Sequence, residues 1–450
     1  LIKPTIKFQN PEEEMTNEQR KIFDYYYKER NKDFHNLYVK KRLITGTTKQ
    51  GDTLIDFACG KAGDLPKWIS SKLSFVFGID ISKDNLENRL DGACARFLKM
   101  KKTSKNIPYA LFVNGNSAFN IKNGSAMLNE KAKQITSAVF GNGPKDADKI
   151  GKGVARQYGK GIEGFNVSSC QFAIHYFFKN PDTLKGFMKN IAECTKQNGY
   201  FIGTAYDGKL VFNELKKVKT GDSIKIVEDG KKIWEITKSY GADSFEDNSS
   251  SIGYQIDVYQ ESINQVISEY LINFDYLDRI MSAYGFEVIS REEAQDFGLP
   301  EGSGLFSELF INMLDEIAKN KFKAKDYDQA PNMSSIEKKI SFLNRYFVYK
   351  KIRTVNTESI ELELGEYNET EGIRDALETK HAQLVAKEEV TKNKPKVRKL
   401  SKKLLLIAAT EAVDEPKPVL EKEKVTKKAK EVKSKASKKL LIIESDDEDK

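Results

Sequence analysis

Five short runs rich in Val, Ile, Phe and Tyr recur along the chain: TLIDFACG at 53–60, FVFGIDIS at 75–82, ALFVNGNS at 110–117, FNVSSCQF at 165–172 and GYFIGTAY at 199–206. Helix-compatible segments separate most of them. That alternation predicts one α/β unit from Asp52 to about Tyr349, a parallel sheet with helices on both faces. In front of it, QRKIFDYYYKERNKDFHNLYVKKRLI places Phe23, Tyr26, Tyr27, Phe34, Tyr38 and Leu43 near helical spacing and predicts helix.

Composition sets the borders of that unit. A chain of 450 residues with 39% hydrophobic content can bury a sizeable core and leave room for tails. Residues 1–30 read as a polar arm or linker, 31–353 as the folded domain, and 354–450 as a lysine-rich tail too poor in aromatics to fold alone, expected to be largely disordered. The tail contains one echo, SKKLLLI at 401–407 and SKKLLII at 437–443, and two copies do not make a solenoid. Between the third and fourth apolar runs, GNGPKDADKIGKGVARQYGKGIEG (141–164) reads as a glycine-rich surface loop. The four cysteines form no CxxC pair, so neither a metal site nor a disulfide framework is expected, and a reducing intracellular compartment is the default. No stretch approaches the roughly 20 apolar residues that span a bilayer, and no secretory pattern opens the chain, so neither a membrane nor secretion is expected. A net charge of +8 favours an anionic partner, although lysine-rich tails give the same number without a site. The first residue is Leu1 rather than a methionine, which suggests a piece of a longer polyprotein or multidomain enzyme.

The stretch IDFACGKAGDL (55–65) narrows the ligand. A strand ending in Asp56 and breaking into Gly60 and Gly63 before a helix lets backbone N–H groups approach a nucleotide-like molecule closely. The turn lacks the GxGxxG frame of dinucleotide sites, and no GxxxxGK[ST] phosphate loop is present. Asp80, at the end of the second run, follows Asp56 at the spacing at which such sites hold ribose hydroxyls. S-adenosyl-L-methionine fits better than NAD, because it carries ribose and adenine but no pyrophosphate.

DFACGKAGDLPKW, GIDIS, SSCQFAIHYFF, GYFIGTAYDG and ISEYLINFDYL occur in the order seen in the mRNA cap guanine-N7 methyltransferases. The resemblance spans about residues 33–350, and its glycine-rich insertion is similar to the version fused into capping enzymes of large DNA viruses. It implies a Rossmann-like methyltransferase sheet with a small antiparallel insertion, S-adenosyl-L-methionine as cofactor, and the guanine of GpppN-capped RNA as acceptor. For the cofactor it implies Lys40 at the methionine carboxylate, Asp56, Gly60 and Asp64 around the methionine end, Asp80 at the ribose, Asn116 and Ser117 at the adenine, and Gln171. Asn116 departs from the family's acidic residue there, and Ala58 and Ala62 stand where glycines are common; a position needing φ > 0 would cost an alanine about 1 kcal/mol or more.

For the acceptor the same resemblance implies Asn36, Phe172, His175, Tyr176, Glu269 and Tyr346. Aromatic faces sandwich a purine that gains positive charge, a carboxylate accepts from guanine N1–H and the exocyclic amine, and a histidine reaches the carbonyl oxygen. Guanine N7 offers an unprotonated lone pair, so acid–base catalysis is not required and His175, Tyr176 and Glu269 would act by positioning. The implied partners are capped RNA, triphosphatase and guanylyltransferase domains of the same polypeptide, and viral transcription machinery, in host cytoplasm, virion or nucleus. Two other readings compete: an inactive cofactor-binding scaffold for a partner methyltransferase, and a methyltransferase acting on another RNA position or a small molecule.

Overall fold

The computed structural model describes residues 30–364 except 229, 262 and 263. The N-terminal arm, the repeated SKKLL segments and nearly all of the lysine-rich tail lie outside the described residues.

Twelve strands form two sheets. β1 (Thr53–Asp56), β2 (Phe75–Asp80), β3 (Tyr109–Asn114), β4 (Phe165–Gln171) and β5 (Thr195–Tyr206) contain the five apolar runs. β6 (Ser223–Glu228), β7 (Lys231–Lys238), β8 (Gln255–Gln260) and β9 (Gln265–Tyr270) make a separate antiparallel meander. β10 (Phe286–Val288), β11 (Ser303–Leu305) and β12 (Asn344–Lys351) complete the large sheet, whose order is β10-β12-β5-β4-β1-β2-β3, with β11 paired to β12. β1 to β5 pair in parallel, whereas β12 runs antiparallel to both β5 and β10.

Alternation along each strand sends side chains to two buried faces. Leu54, Val76, Val167, Ile202 and Val348 join one cluster with Phe34, Leu43, Phe306 and Phe310, from the helical segments at 34–47 and 306–319. On the opposite face Phe77 meets Phe140, Phe201 meets Phe187 of the Pro181–Cys194 helix, and Phe347 meets Phe274 of the Phe274–Ala283 helix. Helices therefore cover both faces, as the sequence predicts. The meander has its own core around Trp234, Ile236, Ile256 and Val258, and Tyr206 at the end of β5 belongs to it, which ties the small sheet to the large one.

The chain is helical from Arg30 to Thr47, with a π-helical stretch over Phe34–Lys40. π-helical turns often accompany functional sites. Glu316 accepts from Tyr38 at 3.0 Å, Arg42 at 2.6 Å and Tyr327 at 2.7 Å, and so fixes this segment against the Phe306–Lys319 helix.

Two sequence expectations change. The 141–164 insertion is not a plain loop: it holds short helices at Ala147–Ile150 and Lys152–Arg156. Gly159 and Gly161 N–H groups donate to the carbonyls of Ala138 and Val139 at 2.9 and 2.8 Å, and the Tyr158 hydroxyl donates to Gly141 at 2.9 Å. Past the expected boundary at 353 the chain also stays structured, forming a helix at Thr357–Leu364 whose Thr357 hydroxyl bonds Glu193 at 3.2 Å. No helix among the described residues is long and apolar enough to cross a membrane.

Candidate functional site

The C-terminal ends of β1, β2 and β4 gather most of the expected residues. After Asp56 the chain turns through Gly60 at φ 53° and Ala62 at φ 53°. Ala62 thus occupies the left-handed region that its Cβ disfavours, whereas Ala58 does not. A Cβ added at Gly60 or Gly63 would meet nothing within 4 Å, so this turn borders open space. The turn is fixed from behind: Ser117 donates its hydroxyl to the Phe57 carbonyl at 2.7 Å, and Cys59 N–H donates to Ile79 at 3.0 Å.

Asp80 is buried, and its carboxylate accepts from Gly60 N–H at 2.7 Å, Ser82 N–H at 2.9 Å and the Asn85 amide at 3.1 Å. Asp64, also buried, pairs with Lys67 at 2.7 Å and Lys40 at 3.1 Å. Burial works against its charge, but the two ammonium groups outweigh that and hold the carboxyl below the usual range. Asp56 has no such partner on Oδ1. Burial first, then the Asp64 charge, push its carboxyl up to about 8 against the opposing pull of Lys40. A buried carboxyl with an unfilled acceptor is suited to a cationic ligand group.

Gln171 spans β4 and β5, its amide donating to Ser169 at 3.3 Å and accepting from Thr204 at 3.2 Å. Asn116 Oδ1 accepts from Ala118 N–H at 3.0 Å, so the side chain braces its own turn. Phe172 adopts φ 54°, and its half-buried ring lies 5.3 Å from His35 and 6.0 Å from Phe306. The Asn36 amide folds back onto the Lys32 carbonyl at 2.9 Å.

A second group of side chains comes from the turn after β4 and from the meander. Asn180 caps the Pro181–Cys194 helix, and Pro181 sits in its first turn, which stops the preceding 3-10 turn, Ile174–Lys179, and sets His175 inward. His175 is 5% exposed, and neither of its ring nitrogens has a partner among the described residues. Its Nδ1 lies 3.6 Å from Glu269 Oε2, beyond a hydrogen bond. Burial lowers the imidazole to about 3 and raises the Glu269 carboxyl to about 8, leaving a neutral histidine beside a carboxyl that readily keeps its proton. The Tyr176 ring stands edge-on to His175 at 4.2 Å and is 42% exposed. Burial of its hydroxyl end, with the charges of Glu269 and Asp80, pushes the hydroxyl up to about 12. Tyr176 thus feels a carboxylate from each of the two groups of side chains.

Tyr346 is a correction. It is fully buried on the face of the sheet packed by the Phe306–Lys319 helix, and its hydroxyl donates to the Glu301 carbonyl at 2.9 Å. A tyrosine in a strand covered on both faces is a core residue, and it has no free face to offer a purine. Sequence reasoning also passed over three residues. Lys67 pairs with Asp64, His35 bonds Ser341 at 2.8 Å beneath Phe172, and Tyr206 accepts from Trp234 at 3.2 Å next to Glu269. Tyr206 lies within the quoted GTAYDG, which was the available signal.

The order β3-β2-β1-β4-β5-β12-β10, with the reversed strand between the fifth and the last, and acidic residues ending β1 and β2, defines a Rossmann-like S-adenosylmethionine-dependent methyltransferase. Residues 8–352 match the mRNA (guanine-N(7))-methyltransferase domain, and the chain belongs to that family. A protein of Acanthamoeba polyphaga mimivirus named a probable mRNA-capping enzyme is 28% identical over 345 residues, covering 71% of this chain and 27% of its own length. The mRNA cap guanine-N(7) methyltransferase of Saccharomyces cerevisiae is 25% identical over 280 residues, covering 60% of this chain and 53% of its own. This chain thus spans about a quarter of the first relative and about half of the second. Among solved structures, the CcbJ methyltransferase of Streptomyces caelestis is 11% identical, with a TM-score of 0.37 over 69% of this chain and 94% of that one.

Proposed function

We propose that this domain transfers a methyl group from S-adenosyl-L-methionine to N7 of the guanine cap of RNA, converting GpppN to m7GpppN ends. The observation that carries the reading is His175, buried without a partner 3.6 Å from Glu269 and edge-on to the half-exposed Tyr176 ring at 4.2 Å.

The residues at the strand ends fit the cofactor. The unfilled oxygen of Asp56 suits the methionine ammonium, the open turn at Gly60 admits backbone approach, and Asp80 can accept from ribose hydroxyls. Lys40, held over the site by Asp64, can share its charge with the methionine carboxylate. Ser117 shapes the turn from behind, and Asn116 and Gln171 border the adenine and sulfur ends. The cofactor supplies an electrophilic methyl on a sulfonium.

On the acceptor side Glu269, once its carboxyl gives up its proton on guanine binding, accepts from guanine N1–H and the exocyclic amine, and neutral His175 donates to the carbonyl oxygen. Tyr176 and Phe172 each offer an aromatic face. Asn36 joins only by giving up its bond to Lys32. N7 needs no base, so no residue has to remove a proton. The chain's contribution is alignment, together with a pocket free of imidazolium charge where positive charge develops on the purine. Capped RNA is the substrate on this reading. The viral relative's name, a probable mRNA-capping enzyme, supports capping as the setting, and this reading extends it to triphosphatase and guanylyltransferase domains as partners in host cytoplasm, virion or nucleus. The test is transfer of radiolabelled methyl to GpppA-RNA, with ApppA-RNA and uncapped RNA as controls; equal labelling of all three would exclude a guanine-cap site.

A further inference from the structure

At the opposite edge of the large sheet, where β1, β2 and β3 begin, an open cleft of about 650 Å³ is lined by Lys72, Asn106, Tyr109, Arg156, Gln157 and Lys160 among others. The residues ending β2 and starting it are separated by about 17 Å at 3.3 Å per residue, so this cleft is remote from the methyl-transfer site. No acidic residue lines it. Lys72, Arg156 and Lys160 are exposed, and none has an acidic partner among the described residues.

A neutral side chain from the insertion completes the lining. Gln157 is only 4% exposed, yet its side-chain amide has no hydrogen-bond partner among the described residues. Its amide lines the open cleft, where it can exchange water for the polar groups of a ligand. The glycine-rich insertion is folded to hold it there: a Cβ at Gly161 would lie 3.0 Å from the Phe140 ring, and Gly164 turns back at φ 86° beside the Cys194 carbonyl.

We propose that this cleft binds the phosphodiester backbone of single-stranded RNA downstream of the cap, an inference that rests on the cap-methylation reading above. Three cations on two segments, Lys72 on one and Arg156 and Lys160 on the other, can pair with phosphates, the Tyr109 ring, 57% exposed, can stack a base, and the Asn106 and Gln157 amides can bond base edges. The cleft lies open to solvent, which suits a chain passing through more than a small metabolite, whose sites usually enclose it. Leading into the Asn106–Tyr109 wall, exposed Lys99, Lys101, Lys102 and Lys105 extend the positive surface with no acid between them. That track favours a polymer over a single nucleotide.

The test uses the full chain with K72E, R156E and K160E combined, and fluorescence anisotropy with a long capped RNA, the same RNA bearing a 5′-hydroxyl, and an acidic peptide. Both RNAs should bind about tenfold or more weakly, and the slope of log K against log salt should become shallower by about 2, near 0.7 for each phosphate of a single strand that the protein no longer neutralises. Methylation of the GpppA dinucleotide should be unchanged. Gln157→Ala, which alters no charge, should weaken RNA binding about threefold and leave the salt slope as it is. Unaltered RNA affinity in both proteins overturns the proposal, as does loss of acidic-peptide binding with RNA binding intact. The 5′-hydroxyl RNA separates this result from the cap reading, which fails if the unsubstituted chain does not methylate GpppA.

Discussion

The two halves of the candidate site are wired differently. On the side of Asp80 and Asp64, carboxylates sit in fixed networks of N–H and ammonium donors. On the side of His175 and Glu269, polar groups are buried without partners. Apart from Asp56, the first half is preorganised by the strand ends; the second carries a desolvation cost that a bound base would relieve. The contrast teaches where each half should be sensitive to change.

The strongest way to break it is through the acceptor half. Glu269→Ala or His175→Ala should lower kcat/KM for GpppA-RNA by about 2–5 kcal/mol, the range for truncating one member of a buried polar pair, while calorimetry shows cofactor affinity nearly unchanged. Normal turnover in both variants would remove the acceptor assignment. In the other half, Asp80→Ala should weaken S-adenosylmethionine binding by about 1.5–3 kcal/mol and leave cap affinity alone. An unchanged cofactor isotherm would put the ribose elsewhere.

A pH series sharpens the comparison. Asp56 and Glu269 hold protons up to about 8 in the folded chain and release them near 4 when unfolded. Between those values the folded state binds more protons, so stability of the ligand-free protein should fall as pH rises, by about 1.6 kcal/mol for each group and about 3 kcal/mol for the two together from pH 6.5 to pH 8. His175 has the opposite sign: its lowered pKa costs stability as pH falls below about 6.5, so the upper window isolates the carboxyls. Thermal melts of Asp56→Asn should show a flatter slope there; a slope as steep as that of the unsubstituted chain would contradict the buried, protonated Asp56. The smallest effect belongs to the turn. Ala62→Gly removes a Cβ from φ 53° and should raise stability by about 0.5–1 kcal/mol, read as a higher Tm.

Much of the cofactor half was legible because its signals are local. A short apolar run, a terminal carboxylate and a glycine turn lie within a dozen residues, and strands β1 to β5 follow from the alternation of runs and helices. The acceptor half was legible only through the motif resemblance, since His175 and Glu269 lie far apart in the chain, beside separate sheets, and meet by topology alone. Tyr346 was misread because an aromatic at strand period looks the same whether it faces a ligand or a second layer of helices. Lys67 was passed over because nothing local distinguishes one helix lysine from another, and only the fold shows it beside Asp64. The insertion looked like a loop because helices of four and five residues are too short to display a 3.6-residue period.

The place of β12 has a consequence for how the chain comes to be made. The strand that sits between β5 and β10 is the last of the twelve to be synthesised. Until Asn344–Lys351 has left the ribosome, β5 keeps an open edge, Ile202 lacks Val348 on one face and Phe201 lacks Phe347 on the other. Sheet closure by such a distant segment is slow compared with local pairing, and the waiting edge is a template for wrong partners. Nascent chains of this domain should therefore need protection late in translation, and truncation just before residue 344 should yield insoluble protein rather than a smaller folded core.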